Sequence, residues 1–333
     1  MALRFMEIVI PEHCRDEAAV LLESIPDSDR WEAPLEGDTL LINVLLPMES
    51  VEELVDNFER RFSGEKSLRL ILLPVEAALP REKNLLEKTP VGNEPKARPA
   101  MLRISREELY QTIDDSAGIT PMFLAMVVLS SVVAAVGLLR ENTAAVIGAM
   151  VIAPLLGPNA ALALATTLAD KALAKKALAS NLVGLAIAFA FSYTIGYASP
   201  VDVTSPEIAS RIAVHELDIA LAMAAGITGS LAFASGVSAS LIGVMVAVAL
   251  MPPTIVLGML VGSREWESAM GAGLMLAINV TAVNLSGVGT FYLMGIKPRN
   301  WWDAQKAKTT SRVAVGLWLV LLVVLGGLIS IAV

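Results

Sequence analysis

The sequence predicts an α+β domain followed by an all-α polytopic membrane domain, and three observations carry the prediction. The 333-residue chain is 55% hydrophobic, with a mean hydropathy of +0.64 and only 17% charge, too apolar for an ordinary soluble protein of this length. Charge is segregated: Met1 to Ser116 holds 14 Lys and Arg against 24 Asp and Glu, net −10, and the remainder holds 11 against 9, net +2. Finally, "IGAMVIAPLLGPN", Ile147 to Asn159, returns about 95 residues later as "IGVMVAVALMPPT", Ile242 to Thr254, the mark of an internal repeat.

The head comes first. Leu3 to Ile10 reads as a strand, and Ala18, Leu21, Leu22 and Ile25 then recur at helical spacing. Trp31 to Leu35 and Thr39 to Leu46 are two strands about the turn "EGD". Ser50 with Glu53 forms a capping box ahead of Val51, Leu54, Val55, Phe58 and Phe62 on one helix face, and Ser67 to Val75 is a fourth strand. The order βαββαβ is that of a cytosolic ferredoxin-like domain over residues 1–78, serving either packing and oligomerisation or the sensing of a ligand. No glycine-rich phosphate loop is present. Residues 79–104, rich in Pro and Gly with mixed charge, read as a linker. A second capping box, Ser105 with Glu108, opens an amphipathic connecting helix over 105–116, whose Asp114 and Asp115 are solvated charges or sit at an ion entry.

An acidic head argues against nucleic acid and against a polybasic grip on anionic lipid, both of which need clustered Lys and Arg. The opening "MALRFMEIVIPEHCRDEAA" lacks the apolar run of a signal peptide, so the head is expected in the cytosol. The lone Cys14 fits a reducing compartment. His13 beside it is at most half a metal site, and neither metal nor cofactor is expected.

Uncharged runs set the membrane domain, residues 117–333: Ser116 to Leu139, Asn142 to Ala169, Ala177 to Val201, Ile219 to Ser263, Ser268 to Ile296 and Val313 to Val333. The run from Ile219 is long enough for two spans parted at "ASGVS", giving seven helices. With the head inside, the inner loops carry Lys171, Lys175, Lys176, Lys297, Arg299, Lys306, Lys308 and Arg312 against Arg140, Arg211 and Arg264 outside. That bias fits a multi-pass protein of the cytoplasmic membrane with its C-terminus outside, and Trp301 and Trp302 at the inner interface agree.

The matched phrases fall in the second and fifth spans, so the repeat unit is three helices: 117–201, then 217–296, with an extra helix at 312–333. An odd-numbered unit enters the membrane upside down the second time, giving a 3+3 inverted repeat with broken helices, an architecture of many secondary transporters. The alternative is a duplication kept for packing, with prolines that only kink.

The expected solute or ion path is Pro154, Gly157, Pro158 and Asn159 in one copy and Pro252, Pro253 and Thr254 in the other. Proline frees carbonyls, glycine permits close approach, and Asn159 and Thr254 add polarity at equivalent positions. Asn279 and Asn284 join this path from the sixth span. Asn181 aligns with Asn279 if the intervening loops differ by about three residues, and interhelical hydrogen bonding explains these amides as well as substrate binding does. Gly148 and Gly243 are read as helix-packing residues. Arg140 and Glu141 stand at the outer mouth, pairing with each other or with headgroups, or selecting ions. No Asp, Glu, Lys, Arg or His lies deep in a span, which argues against a proton relay, an intramembrane protease and enzymatic activity in general.

At "DDSAGITPMF", "VGLLRENTAAVIGAMVIAPLLGPN" and "SNLVG" the chain resembles the prokaryotic uncharacterised-hydrophobic-domain family, domain of unknown function 389. The likeness covers the membrane region and, more loosely, the head. It implies architecture and no substrate. The expectation is a transport protein, secondary transporter or channel, for a small polar solute or ion. The alternative is a membrane-embedded sensor or scaffold whose head signals to partners. Besides the lipid bilayer, the small-residue helices predict a homo-oligomer.

Overall fold

A computed structural model describes residues 3–35, 37–65, 67–75, 104–236 and 239–296, with helical backbone also at 316, 318–324 and 327. The chain divides into two compact units, Met1–Glu108 and Leu109–Val333. Most of the expected linker, the expected inner loop Lys297 to Arg312 with Trp301 and Trp302, and most of the expected last helix lie outside the described residues.

In the first unit the elements run β1 (Leu3–Pro11), α1 (Arg15–Leu21), β2 (Arg30–Leu35), β3 (Thr39–Pro47), α2 (Met48–Arg61) and β4 (Arg69–Val75). They build one small antiparallel sheet in the order β2-β3-β1-β4. Its register sets Met6 against Val44, Ile8 against Ile42 and Ile10 against Leu40, so the period-two apolar pattern of both strands faces one side. Ala18 and Leu22, with Val51, Leu54, Val55 and Phe58 of α2, cover that side. Each large side chain buried there contributes about 1.5–3 kcal/mol. The expected Ser50 cap is corrected: α2 begins at Met48, behind an extended Pro47 that makes no side-chain cap bond. Met48 is itself buried, so burial rather than capping fixes where the helix starts. Arg4, on the buried face of β1, forks onto the Glu108 carboxylate at 3.0 and 3.1 Å, which answers its charge.

The second unit holds most of α3 (Arg106–Ser116), then α4 (Pro121–Leu139), α5 (Thr143–Ile152), α6 (Leu156–Leu168), α7 (Lys171–Ala198), α8 (Pro206–Ala209), α9 (Glu216–Ser235), α10 (Ala239–Gly262) and α11 (Trp266–Leu293). Ser105 caps α3, its Oγ accepting the Glu108 N–H at 3.2 Å. Among the described residues α4, α7, α9 and α11 are each long and apolar enough to cross a membrane, and α5 with α6 makes a fifth such span, bent by 55°. These are the helices of a membrane protein. Side-chain caps fix their starts: Thr120 accepts from the Phe123 N–H at 3.0 Å, Asn142 from Ala145 at 3.0 Å, and Asp170 from Ala172 and Leu173 at 2.9 and 3.0 Å. The Asp170 cap is why α7 starts ahead of the uncharged run, with Lys171, Lys175 and Lys176 already helical.

Small residues bring these helices together. Gly258 lies against the Phe189 carbonyl, Gly196 against that of Met259, and Gly226 against that of Val283, so a Cβ at any of them would meet backbone. Gly148 corrects an expectation: a Cβ there would meet nothing within 4 Å, so among the described residues it sits close against no other helix. For Gly243 only the helical backbone is described.

Candidate functional site

The first of the repeated phrases is broken where its prolines demand it. Proline disfavours helical backbone in the residue before it. Ala153, just ahead of Pro154, is accordingly extended at φ −65 and ψ 122, and α5 stops at Ile152. After a turn at Pro154 and Leu155 the chain re-enters helix at Leu156. Pro158 then falls in the first turn of α6, where an N–H has no helical partner to lose. Gly157 lies so close to the Ser116 carbonyl that no Cβ fits.

The second phrase is not broken, which corrects the expectation of two matched interruptions. α10 runs through Pro252 and Pro253 without a stop. Pro253 has no N–H for the Ala249 carbonyl, but Asn279 of α11 donates its Nδ2 to that oxygen at 2.8 Å. Thr254 donates its hydroxyl to the Leu250 carbonyl at 2.7 Å. The repeat itself carries the difference: Pro154 aligns with Ala249, so the proline that ends α5 has no counterpart in α10.

Behind the break lies a chain of buried carboxamides. Asn284 of α11 donates Nδ2 to Asn159 Oδ1 at 3.1 Å, and Asn159 of α6 donates Nδ2 to Asn181 Oδ1 of α7 at 2.9 Å. Asn159 also holds the Leu155 carbonyl at 2.8 Å, and Asn284 that of Val280 at 2.8 Å. Asn159, Asn181 and Asn284 are 2%, 8% and 0% exposed. Asn181 Nδ2 at one end and Asn284 Oδ1 at the other have no partner among the described residues, nor does Asn279 Oδ1. A buried donor or acceptor left so costs about 1–3 kcal/mol, and such orphans are few in folded proteins. Beside Asn159 a small cavity, lined also by Leu156, Ala163, Gly229, Ser230 and Val246, has room for about one water. The arrangement offers hydrogen-bond donors and acceptors without fixed charge.

A family model described as a domain of unknown function, DUF389, matches residues 150–285, which hold the break, all three amides and α10. An uncharacterized protein of Methanocaldococcus jannaschii is 33% identical over 329 residues, covering 97% of each chain. The chain belongs to the DUF389 family. No solved structure matches it.

Not every expected residue of this DUF389 protein joins the amide chain. Thr254 and Asn279 bond to α10 backbone, and Asn279 keeps a structural task there. Arg140 and Glu141 are exposed at the turn between α4 and α5, where Glu141 is left-handed at φ 54. Arg211 of the loop before α9 pairs with Glu207 at 3.0 Å.

No residue spacing signals a second polar cluster, which forms across space. Tyr110 donates its hydroxyl to Asp170 Oδ2 at 2.8 Å, and Lys176 pairs with Asp114 at 2.8 Å. Ser180 donates to the Ala117 carbonyl at 2.5 Å. Asp114 is thus an ion-pair partner and not a merely solvated charge. Burial, then the bond to Asp170 and its charge, push the Tyr110 phenol up to about 12.

Proposed function

We propose that this DUF389 protein is a multi-pass transport protein of the cytoplasmic membrane, a secondary transporter or channel, passing a small polar solute or ion at the α5–α6 break. The observation that carries the reading is the buried Asn181–Asn159–Asn284 chain beside that break, with a donor at one end and an acceptor at the other that have no partner among the described residues. Interrupted helices at depth are tolerated in membranes where they line a cavity or a ligand site. Uncharged amides suit a neutral polar solute or a cation that sheds water onto carbonyl oxygens.

Helix pairing supports the 3+3 inverted repeat. α4 packs on α7 as α9 packs on α11, and α6 packs on α11 as α10 packs on α7. The positive-inside bias supports a cytosolic head and an external C-terminus. The strand order β2-β3-β1-β4 with two helices on one face supports a ferredoxin-like head, with a regulatory or oligomerising role in a homo-oligomer. The neutral amides favour passage over catalysis.

The test is flux into liposomes holding the purified protein, across a panel of neutral polar solutes and monovalent ions. Uptake above protein-free liposomes, lost in Asn284→Leu with insertion intact, is the expected result. No flux of any solute above the protein-free control would count against transport, and equal flux in Asn284→Leu would remove the amide chain from the path.

A further inference from the structure

From the geometry of the head we infer a binding site for a divalent transition-metal ion of the zinc class, formed by His13, Cys14 and Glu65. The three meet from separate parts of the first unit. His13 and Cys14 lie in a single 3-10 turn, Glu12–Cys14, directly after β1, and Glu65 follows the end of α2. One ligand atom from each, imidazole nitrogen, thiol sulfur and carboxylate oxygen, lies within 4.8 Å of the other two.

The spacing fits a shared ion better than direct pairing. His13 Nε2 stands 3.6 Å from Glu65 Oε1, beyond a good hydrogen bond. Around a tetrahedral ion with metal–N and metal–O bonds of ~2.0–2.2 Å and metal–S of ~2.3 Å, adjacent ligand atoms stand roughly 3.3–3.7 Å apart. The His–Glu pair already has that separation, and the thiol closes onto them by a small adjustment.

The donor set selects the metal. Calcium and magnesium take oxygen ligands only, whereas one sulfur, one nitrogen and one oxygen suit zinc and its late first-row neighbours. Three protein ligands leave a fourth position open to water.

The local charge favours a cation as well. The Glu65 carboxylate bears on the Cys14 thiol, and its negative charge draws a cation to the place. Arg61 is turned to Glu17 at 2.9 Å, and Arg15 to Glu32 at 2.8 Å. Cys14 is 5% exposed at the edge of the head's core, while the His13 side chain is 71% exposed, so an ion can enter from the His13 side.

The experiment is Co2+ and Zn2+ titration of the full-length, tag-free protein in detergent with a phosphine reductant. One Co2+ per chain is expected, with a thiolate-to-cobalt charge-transfer band in the near ultraviolet that Zn2+ removes by displacement. Cys14→Ala abolishes the band. His13→Ala and Glu65→Gln, substitutions at more exposed positions, keep the fold and weaken binding. Outer-shell partners alone are worth 10–100-fold in metal affinity, so each of these lost ligands costs roughly tenfold or more. Absence of the band in the native chain overturns the site, as does a cobalt affinity unchanged in both His13→Ala and Glu65→Gln.

Discussion

Replacing Asn279 by Leu removes the donor that holds the Ala249 carbonyl, and Pro253 offers no N–H to take its place. A buried acceptor left unpaired costs about 1–3 kcal/mol. Asn279 Oδ1 has no partner among the described residues, so its removal returns part of that cost and places the net loss toward the lower end. The decisive quantity is the coupling to Pro253. In a Pro253→Ala chain the new N–H faces the Ala249 carbonyl at helical i to i−4 spacing, so Asn279→Leu then leaves no orphan. The second substitution should therefore cost less in that background, by roughly 0.6–1.7 kcal/mol, the range for interhelical hydrogen bonds in membranes. Reversible unfolding in mixed micelles with added SDS, followed by circular dichroism, measures all four corners of the cycle. Strict additivity, a coupling below about 0.3–0.5 kcal/mol, would refute the claim that Asn279 heals the proline gap.

Two glycines of one phrase should respond oppositely to alanine. Gly157→Ala sets a Cβ against the Ser116 carbonyl and should cost about 1–3 kcal/mol, while Gly148→Ala meets open space and should be neutral or stabilise by up to about 1 kcal/mol in the same unfolding assay. The Tyr110 phenol should ionise near pH 12, read as phenolate absorbance that is missing in Tyr110→Phe; ionisation near pH 10 would contradict the buried bond to Asp170. The folded state keeps that proton more tightly than the unfolded state. Its contribution to stability is thus full below about pH 10 and lost as pH rises through about 12.

Period-two alternation in β1 and β3 and the apolar face of α2 made the head's elements legible, because one-sided burial writes itself into sequence. The start of α2 was misread at Ser50, since a serine three residues before a glutamate mimics a cap wherever burial of Met48 sets the true start. In the second unit the uncharged runs located the helices, and Pro154 with Pro158 marked the break. What sequence could not carry was the partner across space. Pro252 and Pro253 read as an interruption until Asn279, on another helix, takes the freed carbonyl. Asn159, Asn181 and Asn284 were each visible as polar residues in apolar runs, but their linkage depends on how α6, α7 and α11 pack. Glu65 gave no sign of its nearness to His13 and Cys14, for the same reason.

The central claim is that the buried amides lie on a path that water can reach. Cys14 is the chain's single cysteine, so Asn159→Cys in a Cys14→Ala background carries one thiol, and a membrane-impermeant reagent can be applied to each face separately. Asn159 is 2% exposed in this structure, so reaction requires the break to open. Transport predicts labelling from at least one face of the intact membrane. Protection from both faces, with full labelling after denaturation, would contradict it and make the amide chain a dry packing element.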